Sequence, residues 1–154
     1  MQQRLPSQLA TPWLFAHRGA RAHERENTME AFRLAQKLGA SGLETDAWIT
    51  RDGVIVLDHD GVVGSRLRRR AIDSVDSGEL PAHIPTLGQL LDFASSHDLA
   101  VSIDVKDPAA FSTVRDTVLG RSTAEVRRTY PCFDNFDVLR DLRSEEHTSE
   151  LQSH

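Results

Sequence analysis

Cysteine is nearly absent from this chain of 154 residues. Cys132 stands alone, so no internal disulfide can form and no oxidising compartment is implied. Long apolar runs are missing too; the longest cover a few residues, against the roughly 20 needed to span a bilayer. No excess of basic charge is present. Lys and Arg total 18 against 23 Asp and Glu, a net charge of −5, which disfavours a protein whose main task is coating nucleic acid or an anionic membrane. The opening MQQRLPSQLATP lacks the apolar core and small-residue cleavage site of a signal peptide, so the cytoplasm is the expected location. No G-x-G-x-x-G follows the first apolar run, which weakens a dinucleotide-binding reading.

What is present suits one globular domain: 39% hydrophobic and 27% charged residues argue against wholesale disorder. Strand and helix periods alternate along the chain. Trp13 to His17 (WLFAH) reads as a strand. Thr28 opens an amphipathic helix through Leu38, with Met29, Phe32, Ala35 and Leu38 near helical spacing and Gly39 as its stop. Gly42 to Trp48 and Val54 to Asp58 are further strands, joined by the hairpin signal Asp52-Gly53. Residues 61–84 read as an irregular inserted loop. Thr86 to His97 is a helix, Leu99 to Val105 a buried strand and Ala109 to Leu119 a helix started by Pro108. A strand near Val126 to Phe133 and a helix start near Asn135 complete the pattern.

Strands alternating with helices imply a parallel sheet with crossovers, and a (β/α) barrel fits. A complete barrel takes roughly 250 residues. The chain is therefore expected to supply about the first half, with residues 1–142 forming the N-terminal part of the domain. Arg143 to His154 (RSEEHTSELQSH) has no apolar period and resembles translated sequencing adapter, so it is read as a non-native tail. On that reading the isolated chain is expected to be inactive and poorly soluble. Its edge strands would be unpaired, and apolar side chains such as Ile103 and Val105, or their neighbours, would lack an opposite wall.

Several residues could carry chemistry. In strand alternation Glu44 and Asp46 share a face, where two carboxylates repel unless a cation relieves them; oxygen ligands suit Mg²⁺ or Ca²⁺. A two-residue loop at Asp52-Gly53 would set Asp46 opposite His59. Asp104 lies inside the apolar run VSIDVK, where a charge is costly unless paired or coordinated, and Lys106 shares its face. Taken singly, these residues have plainer explanations: a solvated strand edge for Glu44 and Asp46, a turn histidine for His59, and mutual pairing for Asp104 and Lys106. Their joint placement at strand ends favours a site, because barrel active sites occupy the C-terminal ends of strands. His17-Arg18-Gly19 adds an imidazole that can transfer protons and a guanidinium that can hold phosphate, directly after the first strand.

The ordered set His17-Arg18-Gly19, Glu26-Asn27-Thr28, Ala31-Phe32, Gly39-Ala40, Glu44-x-Asp46, Thr50-x-Asp52-Gly53 and His59-Asp60 resembles the glycerophosphodiester phosphodiesterases. Ile84-Pro85-Thr86-Leu87 and Asp104-x-Lys106 match later segments of that family, so the resemblance covers roughly residues 13–142. It implies a TIM-type (β/α) barrel of the kind found in phospholipase C-like phosphodiesterases. It also implies hydrolysis of a small-molecule glycerophosphodiester to glycerol 3-phosphate and an alcohol, with no nucleic-acid partner and no integral membrane association. Carried over by position, His17 and His59 are the acid–base pair. Glu44, Asp46 and Asp104 are the ligands of one divalent cation: Mg²⁺, Ca²⁺ or Mn²⁺. Arg18 and Lys106 hold the phosphate, and Glu26 and Asn27 support the first loop. The chain departs from the family at Arg25, where Pro is usual, and at Asp104, where Glu is usual. Arg66, Arg68, Arg69 and Arg70 lie in the insertion, where they could steer anionic headgroups or simply form a solvated basic loop. A phospholipase D-like enzyme of the same fold is the near alternative, and an inactive fragment or binding module the alternative of another class.

Overall fold

A computed structural model describes residues 13–65 and 68–133. Four strands, β1 (Phe15–His17), β2 (Gly42–Ile49), β6 (Ala100–Val105) and β7 (Thr129–Cys132), lie parallel in the order β1-β2-β6-β7. Helix α1 (Met29–Lys37) connects the first pair, and α2 (Leu87–Ser96) leads into β6. Helices α3 (Phe111–Leu119) and α4 (Thr123–Val126) lead into β7. Parallel neighbours reached through helical crossovers are how a (β/α) barrel begins.

Local chemistry sets these boundaries. Thr28 caps α1 by accepting the Ala31 N–H at 3.2 Å, with Glu30 in the first turn and Lys37 in the last, each matched to the helix dipole. Ala31, Phe32 and Ala35 are buried, whereas Leu38 falls just past the last turn and is 64% exposed. Thr86 and Gln89 form a capping box at the start of α2. The expected strand near Val126 is shorter than predicted, because Ser122 and Glu125 form another capping box and start α4. The S-x-x-E signature at Ser122 was the available signal.

On the covered face of the sheet, Leu43, Ala47, Val101, Ile103 and Val105 join Phe32, Leu90, Leu91, Val114 and Val118 in one apolar core. Ile103 and Val105 are thus buried beneath helices and do not face a missing wall. Their neighbours Ser102 and Asp104 occupy the opposite face, as strand alternation requires.

β3 (Ile55–Leu57) runs antiparallel to β2, with Ala47 opposite Leu57 and Ile49 opposite Ile55. The loop is longer than the two residues expected. The Thr50 N–H donates to Val54 O at 3.0 Å, leaving Arg51, Asp52 and Gly53 as a three-residue turn. Gly53 sits at φ +82°, the left-handed residue such loops demand. One extra loop residue shifts the register by one, so the Asp58 N–H, not a group of His59, bonds to Asp46 O at 3.2 Å. The predicted pairing of His59 with Asp46 is therefore corrected.

Residues 61–84 are not irregular throughout. β4 (Val62–Ser65) and β5 (Arg68–Ala71) form an antiparallel hairpin, followed by 3-10 turns at Ile72–Ser74 and Ser77–Glu79. Val63, Ile72 and Val75 are buried with Val56 in a second apolar cluster, flanked by Trp48, Leu80 and Ile84. β5 reads RRRA and is exposed along its length, so it carries no alternation for a sequence reading to detect. Arg66, the helix start near Asn135 and the tail 143–154 lie outside the described residues. Among the described residues no helix is long and apolar enough to cross a membrane.

Candidate active site

The site grows from the end of β1. His17 ends the strand, and Arg18 takes the left-handed conformation at φ 56°. That backbone is costly for a residue with a side chain and persists only where its surroundings enforce it. Here the Arg18 N–H donates to Glu44 Oε2 at 2.9 Å, and the Arg18 carbonyl accepts from the Asn27 N–H at 3.1 Å. Gly19 follows at φ +76°, where an added Cβ would lie 2.7 Å from the backbone carbonyl carbon of Ala31. Only glycine lets this loop press against α1. The His-Arg-Gly triplet is therefore a turn that aims the Arg18 side chain back over the strand ends.

There Arg18 meets Asp46, whose side chain is 1% exposed on β2. The Arg18 Nε lies 3.1 Å from Asp46 Oδ2, an ion pair outside hydrogen-bond geometry, and Arg18 Nη1 reaches Glu26 Oε2 at 3.2 Å. Asn27 Nδ2 donates to Asp46 Oδ2 at 2.9 Å, and Thr45 Oγ1 donates to Asn27 Oδ1 at 2.8 Å. From β6, Lys106 Nζ approaches Asp46 Oδ1 at 3.3 Å and also pairs with Asp104. Asp104 is the register partner of Asp46 on the adjacent parallel strand. A buried carboxylate is tolerated only when paired and hydrogen-bonded, and Asp46 has both kinds of partner.

Glu44 lies one alternation below, its Oε2 3.7 Å from His17 Nε2. Burial raises the Glu44 carboxyl above the ordinary carboxylate value; the Arg18 N–H bond lowers it and nearby Asp46 raises it further. The Asp104 hydrogen bond chiefly raises the Lys106 ammonium above its usual value. Eight of the nine expected site residues thus form one connected network: His17, Arg18, Glu26, Asn27, Glu44, Asp46, Asp104 and Lys106.

His59 is the ninth, and no side-chain contact joins it to that network among the described residues. Topology nevertheless brings it close. β1 and β3 share one edge of β2, β1 along Gly42–Glu44 and β3 along Ala47–Ile49. β3 therefore descends toward the end of β1 and delivers Asp58–Asp60 to the level of Asp46. His59 Nδ1 is 2.8 Å from Asp60 Oδ1, which leaves Nε2 directed elsewhere. Asp58 Oδ2 accepts the N–H groups of Asp60 and Gly61, each at 2.9 Å, and fixes the turn. Asp58 and Asp60 were missed as supports, although Asp-x-Asp-Gly is a turn signature.

The donor set has the chemistry of a hard-cation site: Glu44, Asp46 and Asp104 offer oxygen and no thiolate. Lys106, bridging Asp46 and Asp104, marks a point where positive charge is favoured. Among the described residues, however, no three His, Cys, Asp or Glu side chains converge tightly enough to ligate an ion.

The model of the glycerophosphoryl diester phosphodiesterase family matches residues 17–147. The chain belongs to this family. A probable glycerophosphodiester phosphodiesterase 1 of Mycobacterium tuberculosis is 39% identical over 89 residues, covering 56% of this chain and 29% of the relative. A solved glycerophosphodiester phosphodiesterase from Thermotoga maritima aligns over 85% of this chain and 58% of its own, at 28% identity and a TM-score of 0.73. An Oleispira antarctica phosphodiesterase, solved in complex with the product sn-glycerol-3-phosphate, shares the fold at 21% identity and a TM-score of 0.67, over 86% of this chain and 62% of that one. The chain spans less than half the length of the first of these and under two thirds of the others. Its fold is the TIM-type barrel of the family, to which the described residues contribute four adjacent parallel strands.

Proposed function

We propose that this protein hydrolyses glycerophosphodiesters to glycerol 3-phosphate and an alcohol. One observation carries the reading: a strained Arg18 turn joins His17, Glu44, Asp46, Asp104 and Lys106 at the C-terminal ends of parallel strands. That is where barrel enzymes build their sites. The activities named for the family's relatives, and the product bound by the Oleispira antarctica phosphodiesterase, support the substrate class.

In this reading Arg18 and Lys106 bind the phosphoryl oxygens and hold the diester over the strand ends. One of His17 and His59 takes the proton from the neighbouring glycerol hydroxyl as that oxygen attacks phosphorus. The other gives a proton to the departing alcohol, and water then opens the cyclic phosphate with the two roles reversed. Glu44 steadies His17, while Asp60 holds the His59 ring and sets its tautomer. A divalent cation held by Glu44, Asp46 and Asp104 would supply charge stabilisation to phosphoryl oxygens and lower the pKa of an attacking oxygen.

In a protein that carries the whole barrel, His17→Ala and His59→Ala should each lower turnover of glycerophosphocholine at least about a hundredfold with thermal melting unchanged. A chelator should abolish activity, and Mg²⁺, Ca²⁺ or Mn²⁺ should restore it. Turnover near that of the parent protein in either histidine variant would sink the assignment.

A further inference from the structure

The hairpin of β4 and β5 follows His59-Asp60 directly and has a rigid base. Ile72 N–H donates to Gly61 O at 2.9 Å, closing the hairpin at its root. Val63, Ile72 and Val75 anchor it in the second apolar cluster beside Trp48. Gly61 lies so close to the Trp48 indole that a Cβ would come within 2.5 Å of the ring. The exposed arginines of β5 therefore ride on a fixed frame.

Those arginines are not equivalent. Arg70 is neutralised by Glu79 at 2.8 Å, and Arg51 nearby is held through two hydrogen bonds by Asp76. Arg68 is exposed and pairs with no carboxylate among the described residues. Arg69 emerges from the opposite face of β5, its Nη2 3.9 Å from Asp60 Oδ2. The other oxygen of Asp60 holds His59 Nδ1 at 2.8 Å, so Arg69 stands one carboxylate away from an imidazole of the site. Asp60 is thus shared between Arg69 and His59, which puts a guanidinium beside the turn that carries the site histidine.

We infer that Arg69 receives an anionic group carried by the alcohol part of the substrate, so that the protein favours glycerophosphodiesters whose alcohol bears a second phosphate. The inference rests on the proposed reaction, which fixes the first phosphate between Arg18, Lys106 and the histidines. A second phosphate beyond His59 would meet the Arg69 guanidinium, which can bind two of its oxygens at once.

Glycerophosphoinositol and glycerophosphoinositol 4-phosphate differ only by that phosphate, and their affinities for the purified protein can be measured by titration calorimetry. The phosphorylated compound should bind about tenfold more tightly, with the ratio shrinking as salt is added. Arg69→Gln should bring the ratio to about one, Arg69→Lys should retain most of it, and Arg68→Gln, on the opposite face of β5, should leave it unchanged. Both side chains are exposed, so these changes leave the fold in place. Equal affinities in the parent protein, or a preference that survives Arg69→Gln, would overturn the inference. Failure of the proposed reaction gives a different result: glycerophosphoinositol itself would neither bind nor be cleaved, and the inference would fall with it.

Discussion

The two faces of β2 and β6 are made from alternate residues of the same strands, yet they reach low exposure by opposite means. On the covered face Leu43, Ala47, Val101, Ile103 and Val105 are buried against helices by apolar contact. On the open face Asp46 is as deeply enclosed, but by Arg18, Asn27 and Lys106. The first arrangement is non-directional and tolerates exchange of similar volumes. The second depends on particular atoms at particular distances, because each lost partner leaves a buried charge uncompensated. Stability and chemistry should therefore separate by face.

The sharpest way to break that separation is a pair of adjacent substitutions. Ile103→Ala should cost about 3–4 kcal/mol by urea denaturation, since its side chain is fully buried and the cavity cannot collapse between sheet and helices. Asp104→Asn, one residue on and facing the other way, should change stability by under about 1 kcal/mol while removing turnover. Similar stability losses at both positions would show that the faces are not independent.

Arg18→Ala tests the polar enclosure itself. It strips Asp46 and Glu26 of their shared guanidinium but leaves Asn27 and Lys106 in place. A loss of about 2–3 kcal/mol is expected, toward the lower end for breaking a buried pair. Lys should recover the charge without the Glu26 contact.

Much of this was legible beforehand, and the gaps have physical causes. The helices at Met29–Lys37 and Leu87–Ser96 announced themselves through Thr caps and apolar period. That β1, β2 and β6 run parallel followed from alternation of strand and helix. Alternation showed Glu44 with Asp46 on one strand face and Asp104 with Lys106 on another, but not the Lys106–Asp46 contact between the strands. Register was not visible, because Asp52-Gly53 serves two-residue and three-residue turns equally well until Thr50 is seen to close on Val54. The hairpin at Val62–Ser65 and Arg68–Ala71 was hidden because one of its strands is all exposed. Nor could spacing reveal Asp60 against His59, since adjacent residues usually point apart.

Two turn glycines sharpen the distinction between shape and site. Both have positive φ, but Gly53 has open space around a would-be Cβ, whereas at Gly61 that atom would strike the Trp48 ring. Gly53→Ala should cost about 1 kcal/mol for the left-handed backbone and leave turnover alone. Gly61→Ala should cost about 2 kcal/mol and also depress kcat, because relieving the clash moves the turn that carries His59 and Asp60. Equal kcat values in the two variants would mean that this turn does not position His59.

The smallest effect lies farthest from the open face, at Asp52. Its carboxylate accepts from Thr50 Oγ1 at 2.5 Å, Ser77 Oγ at 2.7 Å and Ser77 N–H at 2.9 Å, tying the β2–β3 turn to the 3-10 turn at Ser77–Glu79. These bonds, Thr50 first, lower its pKa from 3.8 to about 2. A depressed folded-state pKa means the folded chain favours the ionised form. Stability from these bonds is present above the unfolded pKa of 3.8 and drains away as pH falls toward 2. Asp52 is fully exposed to solvent screening, so the change is modest. Thermal melting between pH 5 and 2 should therefore fall more gently in Asp52→Asn than in the parent protein, from a lower starting point. Parallel curves would show that the Ser77 tie adds nothing to the ionised state, leaving the second apolar cluster and the Arg51–Asp76 pair to hold this turn against the sheet.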